Sequence, residues 1–350
     1  MKSKAPSLLL RRRLLLGGTA AGSALALPRA LALPAAVGPA ASPPPRDDRA
    51  FWFGFIGDTP YSRLEVNALT GVFEAMTHEP LEFVLHVGDI KSSLESCDDD
   101  LLASRIALLD ECPHPLVLTP GDNEWTDCGR LRVPWQPDPQ LDRLEWLRRQ
   151  VFGGAVSLGR KRMLVQQQGA YRPHPHELDG EPPRLPENLR WRIGSLQFCT
   201  LHVVGSDNGR GQAPELEEAW LRRQQANGDW LNQTVQLAIA EKAKGLVIAL
   251  HANMRFEADR ANGWARMRSL VVAAAAAFDG PVLLLHGDTH HFRSDRLLLR
   301  SHGLANFRRV ECFGSPFSSS WVQIRWDSAL ARPGAGVASD PFQVSVRSLP

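Results

Sequence analysis

Glu82-Phe83-Val84-Leu85-His86-Val87-Gly88-Asp89 is an apolar run that stops at a glycine and a carboxylate. A parallel strand covered on both faces is written as a nearly continuous apolar run, so Phe83, Val84, Leu85 and Val87 predict a buried strand. Gly88 permits a sharp turn. Asp89 is then left at the strand's carboxyl end, the edge where open α/β sheets hold their ligands. Four other runs end in a comparable way. Phe51 to Gly57 ends in Asp58, Pro115 to Gly121 in Asp122, Gly245 to Leu250 in His251, and Pro281 to Gly287 in Asp288, with His290 and His291 close behind. Five runs that each deliver an oxygen or imidazole ligand at the same end predict a metal centre on a sheet edge.

Between these runs the chain alternates. Leu64 to Thr77 has apolar residues at helical spacing (Val66, Leu69, Val72, Phe73, Met76), and Ser96 to Asp100 can start a helix whose body is Leu101 to Leu109. The order strand, helix, strand, helix, strand implies parallel neighbours with right-handed crossovers. The stretch from Gly129 to Asn188 breaks the rhythm. Asp142 to Phe152 reads as a helix, whereas Pro173 to Pro186 is polar and proline-rich, which predicts a flap or cap over the site. Trp191 to Val204 returns to strand character, and Gly205 to Arg210 reads as a loop. Two helices are expected between Pro214 and Lys244, and another over Asn262 to Phe278. Arg309 to Phe313, Trp321 to Trp326 and Phe342 to Val346 read as antiparallel strands completing a second sheet.

The beginning differs in kind. Residues 1–33 carry six basic residues and no acid, with an Ala- and Leu-rich segment from Leu14 to Leu27 and small-x-small sites at Ala24-Leu25-Ala26 and Ala30-Leu31-Ala32. These features predict an export signal. Arg11-Arg12-Arg13-Leu14-Leu15 resembles the twin-arginine signal, so the export machinery for folded proteins is an expected partner and the periplasm or the exterior the expected location. The apolar run is short for a bilayer span, so no membrane span is expected after cleavage. A proline-rich linker over 34–48 follows, then one domain over 49–350 with an insert at about 129–190. Without residues 1–33 the chain has 34 Lys and Arg against 38 Asp and Glu, a net charge of −4. That balance gives a nucleic-acid partner no electrostatic support. Of the five cysteines, Cys97 and Cys128 each follow a motif loop and are a candidate pair, with Cys112 as a competitor. Cys199 and Cys312 lie in apolar strands, as buried thiols do.

A pair of divalent cations needs carboxylates and nitrogen or oxygen ligands on both sides. Such a pair lowers the pKa of a shared water and clamps both ends of an in-line displacement. Asp89 is the natural bridge, because two Asp-ending strands flank it. Asp58 and His290 complete one metal; Asp122, His251 and Asp288 complete the other. Without metal, four aspartates at one edge repel each other. The plainer alternative for Asp58, Asp89 and Asp122 is helix N-capping. For His86, His202 and His286 it is a hydrogen-bonded place in the core, and for most tryptophans, Trp125 excepted, it is packing.

The series Gly57-Asp58-Thr-Pro-Tyr61, Gly88-Asp89, Gly121-Asp122-Asn123-Glu124, His251 and Gly287-Asp288-Thr289-His290 resembles the calcineurin-like metallophosphoesterase superfamily, which includes the purple acid phosphatases. That family reads Asp-x-His, Gly-Asp, Gly-Asn-His-Asp/Glu, a lone His, then Gly-His-x-His. The resemblance implies a four-layer α/β/β/α sandwich of two mixed sheets. It also implies hydrolysis of a small-molecule phosphate mono- or diester by a hydroxide that a dinuclear centre activates. Pro60 stands where the family has its first His, and Tyr61 beside it is a weak candidate ligand for a ferric ion. Asp122, Asn123 and Asp288 replace an Asn and two His. These changes move the site toward oxygen ligands, which suit Mn, Mg or Ca, with Fe and Zn still open. Asn123 can donate a hydrogen bond to a phosphoryl oxygen but not a proton to an alkoxide. His291, Glu124, His174 or His176 then becomes the expected general acid. Arg255 and Arg210 are candidate phosphate ligands, and Arg260 reads as solvated. The competing expectation is a non-catalytic exported protein that binds a metal or another ligand on the same scaffold. Pro60 and Asn123 motivate it; the oxygen replacements Asp122 and Asp288, which keep ligand capacity, favour the enzyme.

Overall fold

In a computed structural model, residues 50–129, 140–171, 183–211, 213–257, 262–332 and 340–349 are described. The expected export segment and linker, the flap histidines His174 and His176, and Arg260 lie outside the described residues.

The first three apolar runs form β1 (Phe51–Ile56), β2 (Leu81–His86) and β3 (Leu116–Leu118), parallel and adjacent. The helices α1 (Arg63–Met76) and α2 (Asp99–Asp110) are their crossovers. Ser62 and Asp98 cap these helices by accepting from the Glu65 and Leu101 backbone N–H groups. Asp58 and Asp89 therefore cap neither. A 3-10 turn (Thr126–Gly129) leads into the insert, which holds α3 (Gln140–Val151) and β4 (Gln166–Gln167).

Trp191 to Val204 is not one strand. It contains β5 (Leu189–Ile193) and β6 (Leu196–Thr200), an antiparallel hairpin that pairs Ile193 with Leu196. Gly194, at φ 54, turns the chain between them. The Gly-Ser pair is the turn signal that the apolar run masked. A short turn, α4 (Gly205–Asn208), leads to α5 (Pro214–Ala240). Here one helix of 27 residues replaces the two expected. Gly228 does not break it, because an interior glycine costs only about 1 kcal/mol. A Cβ there would come within 3.1 Å of Leu270, so the glycine serves the close packing of α5 on α6 (Ala265–Ala277).

The remaining strands are β7 (Gly245–Ala249), β8 (Val282–His286), β9 (Arg293–Asp295), β10 (Phe307–Glu311), β11 (Ser320–Trp326) and β12 (Phe342–Ser348), with a short helix α7 (Leu298–His302) before β10. They do not complete the second sheet as an antiparallel set. β10 runs parallel to β8, whereas β11 and β12 cross to the other sheet and extend it antiparallel from β1. Period-2 patterning shows which face of a strand is buried but not which sheet it joins. The two mixed sheets are thus β12-β11-β1-β2-β3 and β4-β5-β6-β7-β8-β10-β9. Phe53, Phe83, Trp191 and Phe198 interlock between them, with ring centroids 5.0 to 5.5 Å apart. Along β7 and β8 the side chains alternate. Val247, Ala249, Leu283 and Leu285 enter this shared core, and Leu246, Ile248, Val282 and Leu284 pack under α5 and α6. The chain therefore adopts the α/β/β/α sandwich, with both sheets covered by helices. Among the described residues no helix is long and apolar enough to cross a membrane.

Cys97 and Cys128 form a disulfide with Cα atoms 5.8 Å apart, and Cys112, Cys199 and Cys312 are buried free thiols. The bridge closes a loop over a sequence separation of 31. Chain-entropy arithmetic gives such a loop roughly 3 to 4 kcal/mol. Reduction is expected to lower the denaturant midpoint accordingly, and a Cys97→Ala/Cys128→Ala variant should match the reduced protein and ignore the reductant.

Candidate metal centre

The five strand ends meet because the turns behind them are packed back to back. Gly88 sits at φ 91, and a Cβ there would fall on the backbone of Gly121. The N–H of Asp58 bonds to the Gly88 carbonyl at 2.9 Å, and the N–H of Gly287 to the His251 carbonyl at 2.9 Å. Asp58, Asp89, Asp288 and His290 all hold positive φ, between 53 and 81. Non-glycine residues in that region are rare and gather where the fold over-determines them, commonly at functional sites.

Ligand atoms of Asp58, Asp89 and His251 lie within 4.8 Å of one another, and so do those of Asp122, His251 and Asp288. His251 is common to both groups, but it has one nitrogen to offer and so one cation to bind, which leaves the expected bridging place to a carboxylate such as Asp89. His251 Nδ1 lies 2.8 Å from the Val87 carbonyl, which leaves Nε2 facing the carboxylates. Nε2 is 2.9 Å from Asp122 Oδ1 and 3.5 Å from Asp89 Oδ1. His251 Nε2 and Asp122 Oδ1 are both buried and have each other as their close polar neighbour, an imidazole–carboxylate pair with no further protein group bonded to either atom. A cation would take the place of the proton between them, since both are ligand-type atoms facing the same buried point. His290 stands beside the first group, with Nδ1 at 2.7 Å from the Ser315 carbonyl and Nε2 at 3.5 Å from Asp58 Oδ1.

The electrostatics agree with a cation site. Burial raises the Asp58 carboxyl to about 8, opposed by His251 and reinforced by Asp288. Asp89 is raised well above the carboxylate range by burial, opposed by His251 and reinforced by Asp122, Glu124 and Asp58. His251 is pushed strongly up; burial alone would lower it, but Asp89, Asp122 and Asp58 outweigh that. Carboxylates that hold one another protonated are what a bound cation relieves. The residues present fit a metal pair.

Tyr61 donates from its hydroxyl to Asp89 Oδ2 at 2.7 Å, accepts from Asn123 Nδ2 at 2.9 Å, and lies 3.3 Å from His290 Nε2. Asn123 also gives its backbone N–H to Asp89 Oδ1 and its amide to the Lys91 carbonyl, both at 3.0 Å. Its amide protons thus serve internal groups. Glu124 is fully buried; its Oε1 accepts from the Gly121 and Asp89 backbone N–H groups, bracing the second and third turns. His291 is exposed, with Nδ1 on the Thr289 carbonyl. Arg210 pairs with Glu217 at 3.0 Å and lies over the Trp220 ring, and Arg255 is an exposed residue at φ 51. His86, His202 and His286 are buried core residues, bonded to the Thr59 carbonyl, Glu187 and the Gly287 carbonyl. Burial lowers them to about 4, 4 and 3. Trp125 is buried against Arg223 and His202, so it packs rather than presents a stacking face.

Two contributors carried no sequence signal of their role. The Asn253 N–H bonds to Asp288 Oδ2 at 2.8 Å, and Ser206 Oγ lies 2.7 Å from Asp122 Oδ2. Only the loop composition around Ser206 marked that stretch.

No protein-family model and no curated protein matches this sequence. Solved structures do match. A dimetal phosphatase from Danio rerio superposes with TM-score 0.45 at 15% identity, over 78% of this chain and 92% of that one. GAP50, described as the anchor in the inner membrane complex of Plasmodium, gives 0.44 at 10%, over 86% and 90%. A purple acid phosphatase from yellow lupin seeds gives 0.43 at 11%, over 88% of this chain and 55% of that one. Identities this low with TM-scores below 0.5 say nothing of activity. In motif order and two-sheet architecture the chain resembles the calcineurin-like metallophosphoesterases.

Proposed function

We propose that this chain is an exported, metal-dependent phosphoesterase acting on a small-molecule phosphate mono- or diester. The observation that carries the reading is the convergence of four aspartates on one histidine, with His251 Nε2 buried 2.9 Å from Asp122 Oδ1 and within reach of Asp89 and Asp288. Asp58, Asp89, Asp122, His251, Asp288 and His290 would hold two cations. Bound there, such a pair supplies Lewis-acid stabilisation of a phosphoryl group and acidifies a water. The protein's own groups set the stage. The Val87 and Ser315 carbonyls fix the tautomers of His251 and His290 so that each turns Nε2 inward. The Tyr61 hydroxyl orients Asp89. Burial keeps the Tyr61 phenol protonated far above its ordinary range, with Asp89 and Asp58 adding to the shift, so it is a donor at the rim of the cluster. The basic amino-terminal segment would direct the chain to the periplasm or outside the cell.

The test is elemental analysis of the purified protein beside turnover of an activated aryl phosphate, after chelation and after Mn²⁺ is returned. About two metals per chain are expected, with activity lost on chelation and restored by Mn²⁺. One metal or none, with no turnover between pH 5 and 9, points instead to a non-catalytic binding protein.

A further inference from the structure

Asp122 is a carboxylate of the cluster whose surroundings are built from a distant segment. Its carboxylate rests on Gly205, where a Cβ would come within 2.5 Å of Oδ1 and 2.7 Å of Oδ2. Ser206 Oγ then reaches Oδ2 at 2.7 Å. The chain adopts an unusual conformation to bring the hydroxyl there. Ser206 (φ 49), Asp207 (φ 54), Asn208 (φ 61) and Gly209 (φ 60) form a left-handed turn. Three of these four are not glycine, and consecutive left-handed L-residues are unfavourable.

The turn is held from outside. Asp207 Oδ1 accepts from the Gly263 N–H at 2.8 Å, and Asn208 Nδ2 donates to the Gly263 carbonyl at 3.2 Å. Arg223, buried in α5, donates to the Asn208 carbonyl at 2.5 Å. Trp264 Nε1 anchors the entry at the Val204 carbonyl, 2.8 Å away. A strained turn clamped by this many groups sets one hydroxyl between the Asp122 and Asp127 carboxylates, where it fixes the direction of Asp122.

The geometry points to Gly205-Ser206 as the cradle of Asp122: the hydroxyl occupies Oδ2, so that Oδ1, beside His251 Nε2, is the oxygen offered to a cation. Ser206 is thus a positioning residue for metal capture. Asp127 Oδ1 is 2.8 Å from the same hydroxyl, which carries a single proton, so the hydroxyl ties Asp122 Oδ2 to Asp127 across that one proton. This inference rests on the proposed metal centre.

The experiment is calorimetric titration of metal-stripped protein with Mn²⁺ for wild type, Ser206→Ala, Ser206→Gly and Asp89→Asn. Ser206→Gly removes the hydroxyl while relaxing the turn, so it folds at least as well as wild type; a thermal melt checks this. Both Ser206 variants are expected to weaken one of two Mn²⁺ events by about 10- to 100-fold, the usual cost of losing a ligand-orienting partner, and to leave the other unchanged. If folded Ser206→Gly takes up Mn²⁺ as wild type does, the cradle has no such role and the inference is overturned. If wild type and Asp89→Asn alike bind no Mn²⁺, the metal centre itself is wrong and the inference goes with it.

Discussion

Asp89→Asn is expected to abolish phosphoester turnover, by on the order of 10³-fold or more, without unfolding the protein. Partners that merely orient metal ligands are worth about 10- to 100-fold, and removing a ligand's charge costs more. Asparagine tolerates the left-handed backbone that Asp89 holds at φ 56. The asparagine's one carbonyl oxygen can still accept from the Asn123 N–H, and its amide NH2, in the place of Oδ2, faces the Tyr61 hydroxyl, which can accept as well as donate. The metal-free variant should therefore be as stable as metal-free wild type or more so, because one of several mutually repelling carboxyls is gone. Adding Mn²⁺ should then raise the melting temperature of wild type, through binding to the native state alone, and move the variant little. Unfolding scans with and without Mn²⁺, run beside the aryl phosphate assay, check both halves. Turnover within tenfold of wild type in Asp89→Asn would remove this residue from the reaction.

Glu187→Ala should be the most destabilising single change outside the cluster, costing about 3 to 5 kcal/mol. Glu187 is fully buried. It binds Arg148 of α3 through two nitrogens, the shortest contact being 2.7 Å, and His202 Nδ1 at 2.7 Å. Truncation leaves a largely buried guanidinium and a buried imidazole without their acceptor. Burial alone would raise the Glu187 carboxyl, but Arg148 and His202 outweigh it and hold it well below the usual range. Burial holds His202 down at about 4, although Glu187 opposes this. The signs agree. As pH falls from 6.5 toward 4 the unfolded state binds a proton that folded His202 refuses, so stability drops. Below about 4.5 the unfolded Glu187 takes up its proton first, so stability drops again. Denaturant titrations at pH 7, 5 and 4 should show a falling midpoint for wild type. At pH 7 they should also show the large deficit of Glu187→Ala, with Glu187→Gln between the two. A Glu187→Ala midpoint matching wild type at pH 7 would mean that the triad adds nothing to folding.

Several parts of this molecule were legible residue by residue. Apolar runs ending in Gly-Asp or in His marked β1, β2, β3, β7 and β8 together with the edge they share, because burial on both faces and the turn after a parallel strand are written locally. The period of Val66 to Met76 marked α1 for the same reason, within one residue at each end. Errors arose where local rules leave a choice open. Gly194 turned an apparent single strand into a hairpin, α5 ran through Gly228 as one helix where two were expected, and β11 and β12 joined the first sheet. A glycine's effect depends on what packs against it, and a strand's sheet on which edge is open.

The amino-acid order by itself determined the two-sheet sandwich and the six side chains from Asp58 to His290 that gather on its rim. The six side chains follow from periodicity and turn chemistry acting over a few residues; the sandwich was implied by the resemblance of the motif series. Only the tertiary structure decided how each of those side chains is aimed. His251 turns Nε2 toward the carboxylates because the Val87 carbonyl, 164 positions away, takes its other nitrogen. Asp122 offers one oxygen because Ser206, 84 positions on, holds the other. Contacts between such distant residues are set by how layers pack, and packing leaves no local pattern in a sequence.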